Sequence, residues 1–86
     1  MKNKIDYTLL ERWRVALNET WVTFGTRLVK EMNLSDKPKS WMILYKAAMG
    51  LSKPNARNEQ KIQIYLVNNF QRIFDDISAS FMKKDD

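Results

Sequence analysis

The sequence contains neither cysteine nor histidine. Without cysteine there is no disulfide, no thiolate nucleophile and no thiolate-bound zinc. Without histidine the commonest general base and metal ligand at neutral pH is missing. No serine sits in a nucleophile-elbow setting, and no glycine-rich loop is present to cradle phosphate. Asp75 and Asp76 are adjacent, so on a helix they point about 100° apart and do not share one site. Asp85 and Asp86 close the sequence. Enzymatic activity, a metal and a cofactor are therefore not expected. Long apolar runs are also missing. The longest is Trp41–Tyr45, far short of the ~20 residues that span a membrane. Residues 1–13 lack the apolar centre of a signal peptide, and a secreted domain this small would often carry disulfides. The expectation is a cytoplasmic protein without a membrane partner.

Glycine and proline are scarce, with two of each in 86 residues. That length points to one domain, residues 1–86. A chain this short buries roughly 60–65% of the surface its unfolded form exposes. Its core is thin, and a homodimer that completes the core is expected. Pro38, Gly50 and Pro54 act as punctuation and divide the chain into three parts. The first reads as a helix over about residues 8–32. Its apolar stripe is Leu10, Trp13, Leu17, Trp21, Phe24, Leu28 and Met32, at the steps of three and four that a helix requires. Thr8 with Glu11 forms a capping box, and Asp6 is a rival cap. Gly25, set among β-branched and aromatic neighbours, marks a site where this helix can kink or break. The second part, about residues 38–49, is short and apolar nearly all round, the mark of a buried helix. Ser35 or Asp36 precedes it as a cap, and Gly50 is its left-handed stop. The third, about residues 55–82, opens at Ser52 or Asn55. It carries the stripe Ile62, Leu66, Phe70, Ile73, Ile77 and Phe81, supported by Val67 and Phe74. Arg72 with Asp75 or Asp76 reads as a local ion pair. The fold class is all-α: a small three-helix bundle, long–short–long, or four helices if Gly25 breaks the first.

The net charge is +5, and it is not spread evenly. From residue 37 to 61 there are Lys37, Lys39, Lys46, Lys53, Arg57 and Lys61 against one acid, Glu59. The rest of the chain is neutral on balance. A local basic block points to a polyanionic partner more than a high isoelectric point does. Within it, "KPNARNEQK" opens the third helix and offers Asn55, Arg57, Asn58 and Lys61 in two turns. Arg and Lys suit guanine edges or phosphate, and Asn suits adenine edges. Lys37, Lys39, Lys46 and Lys53 are placed to meet a phosphate backbone. Lysines are equally the ordinary occupants of a solvated helix edge, and Asn55 is an ordinary cap.

Residues 41–63 resemble a helix-turn-helix, with "YKAAMGLSK" as the small-residue helix, glycine turn and serine-led entry. Two departures stand out. Lys46 occupies the place four before Gly50 where a small residue belongs. Glu59 occupies the place where the second helix should turn an apolar side chain inward.

A second apolar line runs off the main stripe of the first helix at Val15, Val22 and Val29, spaced by seven. Ile64 and Tyr65 fall off the main stripe of the third. These five are candidates for a protein interface, whether with the middle helix, a second copy or a foreign partner. Trp13 and Trp21 have core spacing. Trp41, beside Lys37 and Lys39, is a core plug or a platform for a nucleobase. Two functions follow from this pattern. One is a small regulatory protein that binds nucleic acid, double-stranded DNA in the first instance. The other is a non-catalytic helical adaptor or inhibitor that binds a host protein, of the kind mobile elements carry.

Overall fold

Residues 8–32 form two helices rather than one. In the computed structural model, which describes residues 5–82, α1 runs Thr8–Leu17 and α2 runs Trp21–Met32. Asn18 ends α1 in the left-handed region (φ 59°, ψ 45°). It is a residue whose short polar side chain tolerates that conformation. Thr20 then caps α2, its side chain accepting from the Thr23 N–H. The break therefore lies at Asn18–Thr20. Gly25 sits inside α2, where a Cβ would stand 2.6 Å from the Cβ of Trp41. Its smallness lets the next helix cross closely and does not bend its own. At the start of α1, Asp6 is the side chain that accepts from the Thr8 N–H (2.9 Å). Glu11 turns away to Arg14 and the Trp21 indole.

The short helix α3 is Trp41–Met49. It begins three residues later than expected, because residues 37–40 form tight turns, with the Ser40 N–H bonded to Lys37 O and the Met42 N–H to Lys39 O. Gly50 ends it at φ 73°. Leu44, Ala47 and Ala48 are buried, Trp41 and Tyr45 are half-buried, and Met49 is exposed. The helix is thus embedded on one side only.

The third expected helix is again two, α4 (Ala56–Asn68) and α5 (Phe70–Met82). Asn69 interrupts it at φ −114°, ψ 14°, and its Nδ2 donates to Tyr65 O (2.9 Å). Such back-bonding by a short polar side chain competes with regular helix geometry. Five helices, and no strand among the described residues, replace the three or four expected. Asp85 and Asp86 lie outside the described residues.

All five helices contribute to one core, including Leu10, Trp13, Phe24, Leu28, Leu44, Ile62, Leu66 and Ile73. Trp13 is fully buried. It meets Phe24 edge-on, with 5.4 Å between ring centroids. Its indole N–H donates to Asp76 (2.9 Å), and the Arg72 guanidinium lies 5.7 Å from its ring centroid. Arg72 and Asp76, one turn apart on α5, thus both hold Trp13. The Arg72–Asp ion pair expected within the helix gives way to that grip. Helix α3 packs on α1 and α2, and α5 packs on α1.

Candidate nucleic-acid interface

The start of α4 is set by Asn55, whose Oδ1 accepts from the Asn58 N–H (2.8 Å). Before it, Gly50 reverses the chain. The Leu51 N–H (2.9 Å) and the Ser52 N–H (3.4 Å) return to Lys46 O, and residues 52–55, outside any helix, run beside α3. The result is a cleft of about 310 Å³ between α3 and the opening of α4. Met42 and Ile43 form its apolar wall, and Lys46, Lys53, Asn55 and Asn58 are its polar lining. The first N–H groups of α4 carry the partial positive charge of a helix start. Arg57 is exposed on the same first turn. No carboxylate among the described residues pairs with Lys46, Lys53 or Arg57 in a salt bridge.

Glu59 is half-buried, and its carboxylate accepts from the Tyr7 hydroxyl (3.3 Å). It serves as a polar tie between α4 and the segment before α1. The helix-turn-helix resemblance, by contrast, does not extend to the packing. In that motif the two helices lean on each other across a turn of three or four residues. Here residues 50–55 intervene, and α3 packs on α1 and α2 instead.

Lys61, Lys37 and Lys39 are not among the residues that line this cleft. The Lys61 ammonium donates to Asn33 O (2.8 Å), where it satisfies the C-terminal end of α2. Lys37 belongs to a second cleft of about 500 Å³ between α2 and α3, with Lys30, Asn33, Ser35, Asp36 and Trp41. Lys39 is exposed in the turns before α3, so the helical face expected to align it with Lys46 begins too late to include it. Asn55 commits one lone pair of its oxygen to the cap, which fixes the side chain at the helix start. Sequence reading missed Lys30, which joins Lys37 only because α2 and α3 cross at Gly25. It also missed the apolar wall of Met42 and Ile43, assigned as they were to a wholly buried helix.

Among the proposed interface residues, Val15, Val22 and Ile64 are exposed. Val29 is not: at 3% exposure it belongs to the core. It takes the inward option, because α3 covers that side of α2. Tyr65 is half-buried, with its hydroxyl donating to Glu31 and its ring 6.5 Å from that of Trp13. Burial first, and the Glu31 carboxylate second, push its phenol up to about 12. The larger surprise is Phe70, Phe74 and Phe81, read from sequence as core and found exposed.

Among the described residues there is no acidic, histidine or cysteine cluster suited to a metal ion, and no helix is long and apolar enough to cross a membrane. No known protein family, characterised protein or solved structure matches the chain.

Proposed function

We propose that the chain is a non-catalytic regulatory protein of the cytoplasm that binds nucleic acid, double-stranded DNA in the first instance, as a homodimer. The observation that carries this reading is the convergence of Lys46, Lys53 and Asn58 at the start of α4. Arg57 stands beside them, and Glu59 is turned to Tyr7. Phosphate is met by Lys46, Lys53 and Arg57, with Lys39 on the approach. Asn58 is the side chain placed to reach a base edge. Lys61 and Asn55 support the site structurally.

Four phosphate contacts give a log–log salt slope of about −3.6, so affinity falls about 150-fold between 50 and 200 mM salt. The test is a mobility-shift titration on duplex DNA across that range, repeated with Lys53→Glu/Arg57→Glu. Loss of binding in the double variant, with the steep slope in the parent, is the expected result. A parent protein that fails to bind at 50 mM, or binds equally at both salts, overturns the reading.

A second reading, a helical adaptor or inhibitor for a host protein, is favoured by the exposure of Val15, Val22 and Ile64. It predicts partner capture that is insensitive to the Lys53/Arg57 reversal.

A further inference from the structure

The outer side of α4 and α5 carries apolar residues that the fold leaves largely open, with Phe70 bordering a cleft beside Ile5 and Leu9. Phe70, Phe74 and Phe81 are 48%, 57% and 66% exposed, and Val67 is similarly open. Three phenylalanines in a row on a surface are unusual, since single exposed apolar residues are what a monomer tolerates. Their spacing is ordered. Within α5, Phe70, Phe74, Ile77 and Phe81 follow at steps of four, three and four. That is the alternation of first and fourth heptad positions, the pattern of a helix that seats against another helix, and Val67 on α4 stands before it across the break at Asn69. The inward stripe of the same two helices is a different set, with Ile62, Leu66 and Ile73 fully buried. Ile77, half-buried, is shared between the two. The core therefore does not account for the seam.

We infer that this seam is the homodimer interface, with α5 of one chain packed along α5 of a second copy. It supplies a surface for the pairing included in the reading above. Area supports a second copy as the occupant. At about 200 Å² per phenylalanine, the three leave roughly 350 Å² open, and Val67 brings the seam to roughly 430 Å². Two copies laid seam to seam remove at most roughly 900 Å² of apolar surface. With their polar margins they reach the ~1,000 Å² at which specific interfaces begin.

Charge agrees. Among the described residues, the positions that flank the seam include Gln71, Ser78 and Ser80, so self-pairing over Phe70–Met82 sets no like charges at those flanks against each other. Arg72 and Asp76 are engaged with Trp13, and Asp75 accepts from Gln71 (2.9 Å). The basic block of residues 37–61 stands outside the seam, so a chain of net charge +5 presents a neutral face to its copy.

The test is sedimentation equilibrium on the full chain without nucleic acid, from about 1 to about 500 µM, the range that brackets a micromolar dimer. The parent is expected to pass from monomer to dimer within it, and Phe74→Glu to stay monomeric with unchanged helical circular dichroism. A monomeric parent, or a dimer indifferent to Phe74→Glu, overturns the interface. Should Phe74→Glu fail to fold, a nitroxide on Gln71→Cys replaces it, in a chain with no other thiol. Label-to-label distances below about 30 Å are expected between paired helices, and no dipolar coupling at about 500 µM overturns the proposal. A monomeric parent would remove the homodimer from the functional reading as well, but DNA binding itself is judged separately, because neither measurement contains DNA.

Discussion

Gly25 shows how one residue can be noticed in a sequence and still be misread. A glycine inside a helix signals weakness in that helix when only neighbours along the chain are considered. The reason for it lies 16 positions away, in the Trp41 Cβ that any side chain at position 25 would meet at 2.6 Å. Two effects of substitution oppose each other. Alanine favours the helix by about 1 kcal/mol over glycine. Overpacking against a Cβ and the backbone of α3, which do not swing aside as a side-chain tip does, costs about 1–3 kcal/mol. Gly25→Ala is expected to be destabilised by about 1 kcal/mol on balance, and Gly25→Val by more, read as a lower urea midpoint at an unchanged slope. An alanine variant as stable as the parent would mean that the crossing yields freely. Glu59 is the converse case. Its charge was legible, but its direction was not, because the Tyr7 hydroxyl that donates to it comes from 52 residues away along the chain.

At the scale of elements, the periodicity gave the helical class and concealed the breaks. The stripe from Leu10 to Met32 keeps its steps of three and four straight through Asn18–Thr20. This happens because α1 and α2 both turn their apolar sides to the same core. The same holds across Asn69. Local chemistry did carry a signal: an asparagine fit for a left-handed residue, followed two positions later by a threonine fit for a cap. Asn18 is expected to behave accordingly. Asn18→Ala places a Cβ-bearing residue without a polar end at φ 59° and should cost about 1 kcal/mol. Asn18→Gly should match or exceed the parent. Thermal denaturation of the pair decides it, and equal loss in both variants would show that the turn depends on the asparagine side chain itself. The basic window was legible in the same local sense. The cleft was not, since it depends on how residues 50–55 lay the start of α4 beside α3.

At the scale of the whole molecule, α4 is joined to the rest by polar ties as much as by its two fully buried side chains, Ile62 and Leu66. Tyr65 reaches Glu31, Lys61 reaches Asn33 O, and Gln63 reaches Ile5. The Tyr65 tie has a defined dependence on pH. The unfolded phenol titrates near 10 and the folded one near 12. The protonated form is therefore favoured by folding. Its contribution is complete below about pH 10 and is lost progressively as pH rises toward 12. Urea midpoints measured from pH 9 to 12 should fall more steeply for the parent than for Tyr65→Phe, and parallel curves would show that the hydroxyl is indifferent to folding. The Ile5 tie acts on a different axis, that of time. Both the N–H and the carbonyl of Ile5 are bonded to the Gln63 amide, each at 2.9 Å, across 58 residues of chain. At a synthesis rate of about 5–20 residues per second, Gln63 is made roughly 3–12 s after Ile5. Ile5 must wait that long for its partner, so the segment just before α1 is fastened only once α4 has been made.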